Sequence, residues 1–293
     1  MKRIRNILSL ILFLLPFSLL AQKTFPFPEI PVTVKGEKAR ANYQALHYWD
    51  NFDFRNNALI GNRNIAEMGF LNFVGIMTDV TRKEDAFDAF ASRLVKNSHM
   101  LQYFMELGAE KLANPLSPMY DDALYIMFLE KIIAQEGVPE REYENARFNL
   151  SMANKNRVGA KAANFSYLKR NGKRSELGRT RGKYILLFMG DPECDICSVV
   201  KKELATSHLL EKCIEDGLLT VLSVCVEGET EMWKETPSPR KWIDACDDRQ
   251  MIFGNLLYDI PGLPVLYLLD RKHRVVMKNA QVSQIEEFFR DRY

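Results

Sequence analysis

Two cysteines three positions apart, in Cys194-Asp195-Ile196-Cys197, are the residues of this chain best placed to do chemistry. They closely follow the apolar run Tyr184-Ile185-Leu186-Leu187-Phe188-Met189 and open an amphipathic stretch. An uninterrupted apolar run of that length reads as a strand covered on both faces. The pair therefore sits at a strand-to-helix junction, where free helix N–H groups and the positive end of the dipole favour a thiolate. Cys194 is then the attacking sulfur. Cys197, one turn on and on the same side, can resolve a mixed disulfide. Asp191, Glu193 and Asp195 crowd Cys194 with negative charge, which opposes the thiolate. Glu193 and Asp195 are therefore expected to tune the pair toward reduction. Other uses of the pair are weaker. A structural zinc site wants four ligands, and His208, Cys213 and Cys246 lack the spacing to complete one. A permanent disulfide across the first turn of a helix is the lesser alternative.

The elements that must hold this pair follow from periodicity. Ala163–Leu168 alternates and meets the turn Arg170-Asn171-Gly172-Lys173, which predicts a hairpin. After Cys194 a helix is expected to about Leu210, burying Ile196, Val199, Val200 and Leu204. Leu218–Val226 reads as a second apolar strand, and a helix is expected over Pro239–Cys246. Val265–Leu269 and Arg274–Met277 flank the turn Asp270-Arg271-Lys272-His273 as an antiparallel pair. A last helix, Val282–Arg290, should cover one face with Ile285, Phe288 and Phe289. Pro264 just precedes a strand. An X–Pro bond is held cis for only about 0.5–1 kcal/mol, so a cis bond is tolerable here, and a trans proline opening an edge strand is the plain alternative.

Residues from about 37 to 150 have a different texture, helical throughout. Arg82–Leu94 places Ala86, Phe87, Phe90, Ala91 and Leu94 at 3-and-4 spacing behind a capping Thr81 and Glu84. Met100–Leu112 and Ser117–Ala134 repeat the pattern, and Pro139 opens a charged helix to about Asn154. The aromatic segment Tyr48–Phe54 reads as a seam between helices. Trp233 and Trp242 read as packing around a proline loop, and the basic run Lys169–Arg181 as a solvated hairpin face. The expected division is residues 1–21, 22–154 (all-helical) and 155–293 (α/β).

At the N-terminus, Met1-Lys2-Arg3-Ile4-Arg5 precedes an apolar core from Ile7 to Leu20, with Ala21 ahead of Gln22. That is the build of a secretory signal peptide. The run is short and broken by Pro16, so stable membrane insertion after cleavage is not expected. A periplasmic location follows, with an uncleaved anchor as the lesser possibility. Apolar content of 47% and charged content of 27% describe an ordinary globular chain, and a net charge of +2 gives no argument for nucleic acid. Beyond the motif, Cys213, Cys225 and Cys246 are an odd number. At least one is therefore a free thiol or pairs outside the chain. Cys225 ends a strand on the side of the motif, where it reads as core rather than as a relay.

Taken together, the segment from Ala163 to Tyr293 resembles a thioredoxin-like domain of the TlpA subgroup of exported thiol–disulfide oxidoreductases. The likeness rests on Asn171-Gly172-Lys173 with Leu177 and Gly182-Lys183, on Phe188 through Cys194-Asp195-Ile196-Cys197, and on Tyr258-Asp259-Ile260-Pro261-Gly262-Leu263-Pro264. The strand and helix order read above is similar to the thioredoxin order with an added N-terminal hairpin. The helical half resembles domains of unknown function that precede such modules in exported proteins of Gram-negative bacteria. The resemblance implies an α/β fold with a central mixed sheet flanked by helices behind an all-α domain. It implies catalysis by Cys194 and Cys197 and a cis Pro264 with Leu263 pairing the substrate backbone. Clients would be disulfide-containing proteins, the electron donor a protein dithiol, and no organic cofactor or metal is required. Two departures stand out: Glu193 replaces the usual aromatic before the first cysteine, and Leu187 and Phe188 stand where a buried carboxylate is usual. They support an alternative in which the fold is a non-catalytic binding or envelope-assembly scaffold.

Overall fold

The computed structural model describes residues 24–292, so the segment read as a signal peptide lies outside the described residues. Six α-helices come first: α1 (Glu37–His47), α2 (Met68–Ile76), α3 (Lys83–Leu94), α4 (Ser98–Gly108), α5 (Asp122–Ile133) and α6 (Glu140–Ala153). Their core is aromatic. Trp49 stacks on Phe90 with centroids 4.5 Å apart, and Phe90 stacks on Phe128 at 5.7 Å. Tyr48, Trp49, Phe52 and Phe54 are all buried in it, as the seam reading requires. Such pairs add about 0.5–1.5 kcal/mol each beyond the area they bury.

The helix ends differ from expectation where polar side chains chose another partner. Thr81 does not cap α3; its hydroxyl and backbone N–H are taken by the Asn42 side chain, and Arg82 stands at the N-cap. The helix expected from Ser117 begins at Asp122, because the Asp121 carboxylate accepts the Leu124 N–H at 2.9 Å. Residues Asn114–Tyr120 form a loop instead. The expected Met100–Leu112 helix starts earlier, capped by Asn97, and ends in a wider turn over Ala109–Ala113.

A seven-stranded mixed sheet follows, with β1 (Ser166–Lys169), β2 (Arg174–Glu176), β3 (Tyr184–Gly190), β4 (Leu219–Cys225), β5 (Ile243–Cys246), β6 (Val265–Asp270) and β7 (Val275–Met277). Its order is β2-β1-β5-β4-β3-β6-β7. β3 pairs parallel with β4 and antiparallel with β6, so it lies inside the sheet, covered on both faces. Ile185, Leu187 and Met189 point into one core, Leu186 and Phe188 into the other. The hairpin turns at Gly172, whose φ of 76° suits glycine.

Helices α7 (Asp195–Thr206), α8 (His208–Glu215), α9 (Glu231–Glu235), α10 (Met251–Gly254) and α11 (Val282–Arg290) cover or connect the strands. Several expectations fail here. The helix from Cys194 stops at Thr206, because Ser207 takes an extended conformation and its hydroxyl caps α8 at Leu210. Ile196 and Val199 are exposed, 47% and 65%, while Cys197 and Leu204 face the core. The expected helix over Pro239–Cys246 is instead β5. Its four residues fill the slot between β4 and β1, and Asp244 there gathers Arg170, the Trp233 indole N–H and the Ser238 backbone N–H. Four residues are too few for periodicity to tell strand from helix. Arg170 is accordingly a structural anchor, stacked 4.5 Å over the Trp233 ring, rather than part of a solvated basic face.

The helices and the sheet are joined through Lys278. Its buried ammonium donates to both carboxylate oxygens of Asp122 (2.9 and 3.1 Å) and to the Ala153 carbonyl (2.6 Å), with Asp259 at 3.8 Å. Replacing this cation by Lys278→Met leaves two neighbouring carboxylates without it; a loss of about 3–5 kcal/mol in urea unfolding is expected. A loss under about 1 kcal/mol would show that water enters the junction freely. Burial is the main cause that pushes the Asp259 carboxyl above the usual range, Lys278 opposing and Asp122 adding to it. A raised folded-state value contributes stability that is present below the ordinary value, about 4, and lost as pH rises through the shifted one. Asp259→Asn should therefore gain stability relative to wild type between about pH 4 and pH 7. A difference that stays flat over that interval would contradict the assignment.

Candidate functional site

β3 ends at Gly190, and the chain turns through Asp191-Pro192-Glu193 into α7. The turn is closed by its own backbone: Cys194 N–H donates to the Asp191 carbonyl at 3.2 Å, and the Asp191 carboxylate accepts the Glu193 N–H at 3.0 Å. Cys194 is thereby set at the N-cap of α7, where its Sγ accepts the Cys197 N–H at 3.1 Å. The N-cap position normally favours a small oxygen acceptor. Here sulfur occupies it, so the same N–H and the helix dipole stabilise negative charge on Cys194 when the pair is reduced.

Cys194 and Cys197 are joined as a disulfide, with Cα atoms 5.2 Å apart. Cys194 is half-buried and reachable from solvent, and Cys197 is buried. Of the two sulfurs, Cys194 is thus the one that solvent reaches. Leu263 and Pro264 lie alongside: the Leu263–Pro264 bond is cis, and Cys194 Sγ is 3.8 Å from the Leu263 carbonyl oxygen. Cys194, Cys197, Leu263 and Pro264 are thus brought together. Glu193 and Asp195 flank the pair but are exposed, so their charges act through solvent rather than by contact.

The floor of the site is closely packed. A Cβ on Gly190 would come within 2.6 and 3.0 Å of the Phe188 ring and 3.4 Å of Cys197 Sγ. Lys201, two turns into α7 from Cys194, lies 5.5 Å over the centre of the same Phe188 ring and 3.5 Å from the Ser238 hydroxyl. Burial pushes its ammonium below the usual lysine range. Sequence reading passed over Lys201, although its spacing of four from Cys197 and three from Leu204 placed it on the buried face of α7.

Cys225 stands opposite Gly190 in the parallel ladder, and Cys246 opposite Cys225. Burial pushes the Cys225 thiol up to about 11 and the Cys246 thiol up to about 12, so both are protonated at neutral pH and poor nucleophiles. Cys213, the third cysteine outside the motif, is also buried and free. Among the described residues no group of three or more His, Cys, Asp or Glu is arranged to hold a metal ion. No helix among them is long and apolar enough to cross a membrane.

Comparison with known proteins covers both halves. A family model described as a domain of unknown function, DUF5106, matches residues 5–156. A thioredoxin-like protein from Bacteroides caccae is similar over 92% of this chain and 99% of its own, at 30% identity and a TM-score of 0.81. The C-terminal domain of an uncharacterized protein from Bacteroides fragilis matches 46% of this chain and 98% of its own, at 31% identity and a TM-score of 0.45. A thiol-disulfide oxidoreductase from Bacteroides fragilis matches 46% of this chain and 100% of its own, at 20% identity and a TM-score of 0.39. No curated protein matches the chain.

The packing at Gly190 yields a test. Gly190→Ala forces the added carbon between the Phe188 ring and Cys197, so a loss of about 1–3 kcal/mol in urea unfolding is expected, together with an altered Cys194–Cys197 redox equilibrium. Stability within about 0.5 kcal/mol of wild type would mean that the ring swings clear.

Proposed function

The chain belongs to the DUF5106 family and to the thioredoxin-like proteins, and from that membership and the site geometry we propose that it is an exported thiol–disulfide oxidoreductase that reduces protein disulfides. The observation that carries the reading is the placement of a half-buried Cys194 at the N-cap of α7, beside the Leu263 carbonyl and one turn from a buried Cys197.

In the reduced protein, the Cys194 thiolate attacks one sulfur of a client disulfide. That bond breaks, one client sulfur leaves as a thiolate, and the other is joined to Cys194. Cys197, having lost its proton, then attacks Cys194 Sγ and displaces the second client thiolate. Two electrons pass to the client, and the Cys194–Cys197 disulfide remains. Leu263 and Pro264 hold the client backbone while this happens. A second protein dithiol regenerates the reduced pair; no organic cofactor enters.

Glu193 and Asp195 set the direction. Each places an anion near Cys194, which raises the free energy of the thiolate that the N-cap would otherwise stabilise. A reduced form less favoured than that of a strong oxidant makes a better electron donor. The basic and apolar N-terminal segment supports periplasmic delivery, where client disulfides persist.

Equilibration in graded glutathione buffers, followed by alkylation and mass analysis of Cys194 and Cys197, tests the assignment. A reversible two-electron titration near about −270 mV is expected, against about −120 mV for an oxidant. Cys194→Ser should abolish insulin reduction, and Cys197→Ser should accumulate mixed disulfides. A pair that never exchanges with glutathione would leave the fold as a scaffold.

A further inference from the structure

Between the helices and the sheet, next to Pro264, lies a cavity of about 230 Å³. From the sheet side it is lined by Val200 of α7, by Pro264, and by the turn that runs from Asn279 to Val282. From the helical side it is lined by Pro115 and Leu116. Leu116 is 51% exposed, an apolar side chain held at the rim with no core to join. We propose that this loop of the helical domain is one wall of the client groove, and that Leu116 selects clients with an apolar residue next to the reacting cysteine.

The loop is built to hold that wall still. Leu116 N–H donates to the Asn114 side chain at 3.0 Å, Ser117 N–H to the Asn114 carbonyl at 2.9 Å, and Asp121 N–H to the Leu112 carbonyl at 3.0 Å. The Asn279 amide of the opposite wall donates to the Tyr120 hydroxyl at 3.1 Å. Two positions after Tyr120, which ends the loop, Asp122 is locked to Lys278. Leu116 is therefore fixed with respect to Pro264 rather than swinging on a hinge.

The occupant follows from continuity with the disulfide. A client sulfur bonded to Cys194 lies beside the Leu263 carbonyl, and a chain that runs past Leu263 and Pro264 meets this cavity next. Its walls ask for an apolar side chain, and Glu203 on its edge disfavours an acidic one. An extended polypeptide with an apolar residue beside its cysteine supplies that side chain along this path.

This inference rests on the oxidoreductase reading, and the test separates the two. Wild type, Leu116→Ala and Leu116→Glu are assayed with two peptide disulfides that differ only in a leucine or an aspartate beside the cysteine. Each rate is normalised to the same variant's rate with a small disulfide lacking any peptide. Wild type should prefer the leucine peptide by about tenfold or more in kcat/KM, and Leu116→Glu should remove most of that preference, in the range expected for one apolar contact. A leucine-to-aspartate ratio that stays within about twofold of wild type in Leu116→Glu overturns the proposal. If wild type reduces none of the three disulfides, the oxidoreductase reading falls instead. Saturable binding of the leucine peptide with its cysteine changed to alanine, weakened in Leu116→Glu, then still supports the wall, and equal binding by both refutes it.

Discussion

Lys278 holds a position on which the geometry of both halves depends. An ammonium taken out of water costs several kcal/mol unless its three donors are met by well-placed acceptors. Both oxygens of Asp122 and the carbonyl of Ala153 meet them. The sources of those oxygens are favourable in themselves. Asp122 opens α5, at the positive end of its dipole, and Ala153 closes α6, where carbonyls lack helical partners and the dipole is negative. One side chain from the end of β7 thus finishes two helices of the other half. Asp259, at 3.8 Å, is held by charge rather than by a hydrogen bond. It lies in the segment that leads to Pro264, so the same cation also fixes the approach to the disulfide.

The disulfide itself depends on a more local constraint, the way β3 ends. A strand buried on both faces delivers its last residue to the sheet's edge with little freedom, and Gly190 there leaves space that Phe188 and Cys197 fill. Because Cys194 then serves as N-cap, the reacting sulfur and the start of the helix are one feature. The neighbouring row Gly190, Cys225 and Cys246 places two more sulfurs in adjacent strands. Desolvation keeps those two protonated and poor nucleophiles.

Much of this was legible in the sequence because it is local. The apolar run of β3, the Asn171-Gly172 turn and the bounds of α11 follow from residue types within a few positions of each other, and the cis Leu263–Pro264 bond from the family resemblance. What escaped is non-local. β5 is a strand because it fills a gap between β4 and β1, which four residues cannot announce. Ile196 and Val199 carry apolar side chains that read as core, yet α7 turns Cys197 and Leu204 inward and leaves those two in solvent. Ser207, inside the helix expected from Cys194 to about Leu210, is instead the cap of a second helix. Lys278 carries no local signal of its role, since its three acceptors come from more than a hundred positions away.

That division between local and non-local has a functional counterpart. The parts that the proposed exchange reaction uses, a dithiol at a helix N-terminus beside a cis proline, are contained between Gly190 and Pro264. Discrimination by the sequence around a client's cysteine calls for more than these parts, since exchange itself responds to thiol pKa and access. It needs surfaces that touch the residues around the client's cysteine, and one such surface beside Pro264 belongs to the loop at Pro115 and Leu116. A buried Lys278 and the Asn279–Tyr120 hydrogen bond hold that loop at a fixed distance from the disulfide. Rigidity at this junction serves recognition, since a wall already in place loses little freedom when a client docks.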